Sequence, residues 1–186
     1  MPFVARLKTT GERVDITQYP SPRDVFRKGD CVCQMCGAEL GIRAEYSRLG
    51  YKVSAHFYHF RECQSEYGAH PESYEHLMAK VLLREKLLEF YRQYGNPQID
   101  LEVPIPMAWR ARGRIVDLLV TWTMGWREAH EIQLASITPQ ELEERTNDYA
   151  RAGIDVIWWL GGRAATSANR DWCIGAFGES HRIHVF

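Results

Sequence analysis

The chain has almost no net charge, −1 at neutral pH from 23 lysines and arginines against 24 acids. It therefore lacks the global basic field that would steer a whole molecule onto a polyanion. Any contact with nucleic acid must rest on local groups of cations, of which three stand out: Arg6/Lys8/Arg13, Arg23/Arg27/Lys28, and Arg110, Arg112 and Arg114 in "WRARGR". Each of these can equally be a solvated face. No apolar run is long enough to cross a bilayer, and the opening "MPFVARLKTT" lacks the charged-then-apolar pattern of a secretion signal. These absences predict a cytoplasmic protein with no membrane partner. Cysteines are few and odd in number, five, which argues against a disulfide framework and for reduced thiols or a metal site. Repeats and low-complexity tracts are missing as well. What remains is 45% hydrophobic residues in a 186-residue chain, enough to build a sizeable core in one domain, or in one domain with an appendage.

The first third is loop-rich. "FVARL" and "RVDIT" flank "KTTGE" and read as a hairpin turning at Gly11. A stretch without periodicity then runs from Tyr19 to about Gly50, followed by "KVSAHFYHF", which alternates like a strand. With no periodic apolar pattern here, something other than hydrophobic burial must order the segment. Cys33-x-x-Cys36-Gly37 has the form of a zinc knuckle, two thiolates presented by a turn whose glycine tolerates the backbone geometry. His59-x-x-x-Cys63 supplies a second pair, completing a tetrahedral Cys3His site for Zn²⁺. Cys31 and His56 compete as ligands, because "CVCQMC" leaves the register open. Four protein ligands leave no position for water, so this zinc is structural. Cys173, alone in "DWCIG", reads as a core residue. Two catalytic zinc patterns fail: "HEIQL" has no second histidine, and "HPE" at His70 has no following P-C-x-x-C.

From Ser73 the pattern changes. "SYEHLMAKVLLREKLLEFYRQYG" predicts a long helix capped by Ser73 and ended by Gly95 and Pro97, with an apolar stripe of Tyr74, Leu77, Met78, Val81, Leu82 and Leu88. Three strand-like runs follow, "IDLEVPI", "RIVDLLVTW" and "REAHEIQLA". A second helix then starts at Thr138 and Pro139 and stops at Gly153. "DVIWWLG" does not alternate, as expected of a central parallel strand reached by a crossover helix. The tail "DWCIGAFGESHRIHVF" is expected to add edge strands. The chain is thus expected to divide at about residue 70: 1–70 as hairpin and zinc element, 71–186 as an α/β (α+β) domain ordered helix, three strands, helix, strand.

Two of those strands carry acids where a buried strand would normally carry none. An unpaired buried carboxylate is costly and calls for a cation or a hydrogen-bond network. If "RIVDLLVTW" and "REAHEIQLA" pair as a hairpin, Asp117 and Glu131 come together, and alternation puts Gln133 on the face of Glu131. Three oxygen ligands at one end of a sheet suit Mg²⁺, which accepts one or two carboxylates and keeps waters and room for a phosphate oxygen. The competing reading is a structural ion pair with Arg114 or Arg145.

An acid, then E-x-Q on the next strand, with an acid-bearing helix before and a helix and strand after, resembles the PD-(D/E)xK nuclease superfamily. "CQMCG", "HFYHFRE", "ESYEHLMAKVLL", "RIVDLLV" and "HEIQLASITPQELEERTNDYARAGIDVIWWLGG" together resemble the CoiA-like competence family, over roughly residues 33–162. The resemblance implies a restriction-endonuclease-like αβββαβ core preceded by a zinc-binding element. It implies Mg²⁺ (or Mn²⁺) held by Asp117 and Glu131, with Glu75 as the assisting acid on the first helix. Gln133 stands where the superfamily usually has lysine. It can position water by hydrogen bonding but brings no positive charge, which Lys80 on the first helix would supply unless it is an ordinary exposed helix lysine. Arg145 and Tyr149, a turn apart on the second helix, would touch a phosphate or brace Glu131. The implied activity is hydrolysis of DNA phosphodiesters, in DNA uptake and recombination, mobile-element processing or defence. A homodimer would serve for cutting two strands, and a DNA-processing protein is a further expected partner. The alternative is a catalytically inactive nuclease-fold DNA-binding or adaptor protein. A zinc-scaffolded interaction module docking through Trp109, Trp122 or Trp126 is a third reading.

Overall fold

The computed structural model describes residues 2–48, 50–61, 63, 73–110 and 113–184; Arg112 and His70 lie outside them. The chain forms two compact units, Met1–Leu77 and Met78–Phe186. No helix among the described residues is long and apolar enough to cross a membrane.

The first unit is assembled from short pieces: β1 (Val4–Leu7), β2 (Arg13–Asp15), α1 (Pro22–Val25), β3 (Cys31–Val32), β4 (Leu40–Arg43), β5 (Tyr46–Arg48), β6 (Tyr51–Val53) and β7 (His56–His59). β1 and β2 form the expected antiparallel hairpin, with Gly11 at φ +74° in its turn. β3 pairs on the other side of β1, and β4–β7 and β5–β6 are separate two-stranded antiparallel sheets. "KVSAHFYHF", read as one strand, is two: β6 pairs with β5 and β7 with β4. The unit does have a small core, in which Phe3, Val4, Ile16, Leu40 and Phe57 are all buried. Two- to four-residue strands are too short to show the period that sequence reading looks for, which is why this core is invisible in the pattern.

α2 (Tyr74–Tyr91) starts as expected: the Ser73 Oγ accepts the His76 amide at 3.2 Å. After a 3₁₀ turn the chain reverses at Gly95, φ +114°. The buried stripe, however, is offset from the predicted one. Leu77, Lys80, Leu83, Leu87 and Tyr91 are buried, whereas Leu82 and Leu88 are 45% and 46% exposed. Leucines occur here in adjacent pairs, 82/83 and 87/88, so two helical faces were compatible with the sequence and packing selected the second.

β8 (Gln98–Ile105), β9 (Arg114–Thr121) and β10 (Arg127–Gln133) form an antiparallel meander; α3 (Pro139–Arg151) crosses over to β11 (Asp155–Leu160), which lies parallel to β10. α3 is fixed at its start by a capping box, with the Thr138 hydroxyl accepting the Glu141 amide and the Glu141 carboxylate accepting the Thr138 amide at 2.8 Å. Such a cap contributes about 1 kcal/mol. The tail departs from expectation: "SANRDWCIGAF" is helix α4 (Ser167–Phe177), capped by Thr166, and only β12 (His181–Arg182) adds an edge strand. The sheet order is β12-β11-β10-β9-β8. This is the αβββαβ order of a restriction-endonuclease-like core with an added helix and strand. One side of the sheet packs Val116, Ala129 and Trp158 with Leu142 and Tyr149 of α3 and with Cys173, all buried, so Cys173 is the expected core residue.

The sheet is also forked. β9 stays paired with β8 as far as Arg114 opposite Ile105, and β10 stays paired with β11 as far as Gln133 opposite Leu160. Between β9 and β10 the ladder ends at Leu118 opposite His130.

Candidate functional site

The next residues past that fork are Asp117 on β9 and Glu131 on β10. Where a ladder carbonyl would have accepted the Ile132 amide, the Asp117 carboxylate accepts it instead, at 2.9 Å. The two acids are therefore neighbours, as the hairpin reading expected. Asp117 is half-buried and Glu131 is buried at 2% exposure. Burial pushes the Glu131 carboxyl up to about 7, and the adjacent Asp117 charge adds to the shift, while Arg145 and Tyr149 oppose it. Like-charged carboxylates in a low-dielectric pocket resist ionising together, and a cation between them relieves both.

Both oxygens of Glu131 are engaged from α3. Tyr149, fully buried, donates its hydroxyl to Oε1 at 2.7 Å, and Arg145 donates to Oε2 at 2.7 Å. Burial, and then the Glu131 charge, push the Tyr149 phenol far up, so it stays a donor. The same guanidinium donates to Gln133 Oε1 at 3.1 Å and lies over the Trp158 ring at 5.1 Å. Trp158 stands beside Glu131 in the parallel ladder and is itself fixed by a bond from its indole to Thr146 Oγ1. Gln133 also donates to the Ala135 carbonyl at 2.9 Å. Its amide is thus held by protein groups at both ends.

Lys80 and Glu75 occupy different surroundings. Lys80 is buried at 1% exposure, not an ordinary solvated lysine, and its ammonium donates to Glu102 Oε1 at 2.5 Å. Glu102 is an acid that the sequence reading passed over. It sits on β8 between Leu101, opposite Leu118, and Val103, opposite Val116, which is the register position of Asp117. It takes a left-handed backbone, φ +51°, rare for a side chain of its size. Three acids, Glu102, Asp117 and Glu131, thus occupy successive register positions across three strands. The signal was present in "IDLEVPI", a strand with an acid at its centre. Glu75 is exposed in the first turn of α2 and belongs to the first compact unit.

Two other acids nearby are structural. Glu128 faces the opposite side of β10 from Glu131 and accepts hydrogen bonds from the Tyr91 hydroxyl at 3.1 Å and the Trp122 indole at 3.2 Å. Asp148 on α3 accepts from the Trp109 indole at 3.0 Å, from Arg114 Nε at 2.8 Å and from Arg110. Two cations of the "WRARGR" group are therefore spent on an internal acid.

In the first unit, the ligand atoms of Cys33, Cys36, His59 and Cys63 lie within 4.8 Å of one another. Tetrahedral zinc with bonds of about 2.0–2.3 Å needs its donors on the order of 3.5 Å apart, and Cys36 Sγ stands 3.5 Å from His59 Nε2. The turn has knuckle geometry: the Gly37 amide donates to the Cys33 carbonyl at 2.9 Å, the Met35 amide points at the Cys33 sulfur at 3.4 Å, and Gly37 takes φ +70°. Burial lowers the His59 imidazole, keeping it neutral as a ligand requires, and raises the Cys33 thiol to about 11. These four residues can hold a metal ion such as zinc. The competitors sit elsewhere: Cys31 is buried in β3, and His56 Nδ1 pairs with the Ser54 carbonyl at 3.0 Å.

The family described as Competence protein CoiA, nuclease-like domain, matches residues 72–179, which take in α2, strands β8 to β11, α3 and all three acids. No curated protein matches the chain.

Proposed function

Because the chain belongs to the CoiA nuclease-like family, we propose that it is a Mg²⁺-dependent nuclease that hydrolyses DNA phosphodiester bonds in the handling of incoming DNA. The observation that carries this reading is the pairing of Asp117 with Glu131 at the fork of the sheet, joined through the Ile132 amide. Asp117 and Glu131 would hold the ion, with Glu102 one strand further. A bound Mg²⁺ supplies Lewis-acid polarisation of a phosphate and charge neutralisation at the attacking water. The protein's own groups do the rest. Tyr149 fixes the rotamer of Glu131 by bonding one oxygen and leaves the carboxylate plane defined. Arg145, bonded to Glu131 and Gln133 at once and 27% exposed in its side chain, is the one cation touching both members of the E-x-Q pair among the described residues. It supplies the charge that Gln133 lacks. Its planar fork is well matched to a phosphate oxygen, so with an ion on Glu131 it would be available to pair with the substrate. Zn²⁺ on Cys33, Cys36, His59 and Cys63 would order the first unit.

A second reading is favoured by one feature. Glu131 is already paired with the Arg145 charge and hydrogen-bonded by Tyr149, the arrangement expected of a nuclease fold that binds DNA or acts as an adaptor without cutting. The two separate on one experiment. Linear, single-stranded and branched DNA are incubated with the purified chain and Mg²⁺ or Mn²⁺, beside Asp117→Asn, which keeps an acceptor for the Ile132 amide. Ion-dependent cleavage that Asp117→Asn abolishes supports the nuclease. DNA binding without cleavage, indifferent to Mg²⁺ and to Glu131→Ala, establishes the adaptor.

A further inference from the structure

One exposed cation of the Arg23/Arg27/Lys28 group is committed to an aromatic surface. The Lys28 ammonium stands over the Phe60 ring, 5.0 Å from its centroid. Phe60 meets Tyr58 edge to face at 5.3 Å, and the Arg43 guanidinium lies over Tyr58 at 5.5 Å. The four form an unbroken row, cation, ring, ring, cation, along the paired strands β4 and β7 and the residue following β7, with Lys28 reaching in from the loop before β3. Phe60 is 48% exposed, and Lys28 and Arg43 are exposed. The row is also supported from beneath. Gly41 is the cross-strand partner of Tyr58, and a Cβ on it would collide with the Tyr58 ring, so the ring lies flat across the glycine. His59, between the two rings in sequence, belongs to the Cys3His cluster, and a metal held there would tie down the strand that carries them.

We propose that this row is a binding strip for single-stranded DNA. Rings offered at the surface with flanking cations are what an unpaired strand requires, because its bases present π-faces and its phosphates recur alongside them. A duplex keeps its bases stacked inward and cannot use the rings. On binding, bases take the places that the two cations hold over the rings, and the freed ammonium and guanidinium pair with phosphates. The cations are on flexible stems and can move; the Tyr58 ring, seated on Gly41, cannot. A protein partner of equal charge would use the cations but gain nothing from two stacked-base platforms in a row. The choice of DNA over RNA rests on the proposed nuclease reading; the chemistry of the strip does not.

The test is fluorescence anisotropy of labelled oligothymidine with the full chain carrying Asp117→Asn, without added divalent ion. Phe60→Ala and Tyr58→Ala are each expected to weaken oligothymidine binding on the order of tenfold, while duplex binding changes by less than about twofold. Lys28→Ala and Arg43→Ala are each expected to flatten the log–log salt dependence by about 0.7. Tyr58→Ala uncovers Gly41 and can loosen the β4–β7 pair; Phe60→Ala and Tyr58→Phe do not, and Tyr58→Phe is expected to bind as the parent does. Oligothymidine binding unchanged by Phe60→Ala overturns the proposal, as does an equal loss on duplex. Tighter binding of oligouridine than of oligothymidine overturns the assignment to DNA. Cleavage by the parent chain is scored separately. A chain that never cleaves but loses strand binding with Phe60 supports the strip while refuting the nuclease, and a chain that cleaves with strand binding indifferent to both rings does the reverse.

Discussion

Lys80 and Glu102 are nearly out of reach of solvent, with side chains 2% and 6% exposed, and are joined at 2.5 Å. Removing one partner of such a pair leaves the other charge buried, which typically costs about 3–5 kcal/mol, more than the pair itself contributes. Lys80→Ala is therefore expected to lower the urea midpoint sharply, and Lys80→Met with Glu102→Gln to recover most of the loss; equal midpoints for the single and double variants would show that the pair is not the cause. Asp148 behaves differently because it is linked to pH. Burial alone would raise its carboxyl, but hydrogen bonds from Trp109, Arg114 and Arg110, with the charge of Arg114, outweigh it and hold the group below its usual range. A carboxyl depressed on folding contributes stability above its unfolded value, and loses it as pH falls through the folded one. The stability gap between the parent and Asp148→Asn is thus expected to be full at neutral pH and to close below a pH of about 4, as read from urea melts across that range. The contrast explains what was legible in the sequence. Asp117 and Glu131 stood out because each interrupts an apolar strand, and Arg145 and Tyr149 because they share a helix face. Glu102 escaped because "IDLEVPI" already carries an acid and a proline. The internal use of Arg110 and Arg114 escaped because a cation's partner across 34 or more residues leaves no local trace.

At the level of elements, α2 and α3 differ in how firmly sequence determines them. α3 has a capping box, a proline at its first position and Gly153 at its end, and it runs where those signals place it. α2 has a clear start, yet its leucine doublets fit two faces, and the buried one is Leu77, Leu83, Leu87 and Tyr91. The offset is measurable. Leu83→Ala is expected to cost about 2–5 kcal/mol and Leu82→Ala far less, since only the first leaves a cavity. Equal costs would return the helix to the predicted face. α4 was missed for a related reason: "DWCIGAF" contains a glycine and β-favouring residues, and the signal that outweighs them is the Thr166 cap on the Asn169 amide at 3.2 Å together with two bonds from the Asn169 side chain to the Ala164 and Ile137 carbonyls.

For the whole molecule, two compact units imply two stabilities. The first has a core of short strands and four metal-competent side chains; the second has a five-stranded sheet and the larger core. Metal analysis is expected to find one zinc per chain, lost in Cys36→Ser. A strong chelator is expected to shift an early thermal transition and leave the later one in place, because metal binding energy is folding energy only where the ligands are. A single transition that moves as a whole would contradict this. The forked sheet has a mechanical consequence as well. Its two prongs, β8 with β9 and β10 with β11, keep their own rungs past Leu118 and His130, where the acids themselves bridge β9 to β10: the Asp117 carboxylate accepts the Ile132 amide, and the Glu131 carboxylate is hydrogen-bonded by the Asp117 backbone. Bonds between the acids and the facing backbone act there as a latch. The spacing of the acids is thus set where a tuning fork opens, by side chains at its crotch and not by the rungs of either prong.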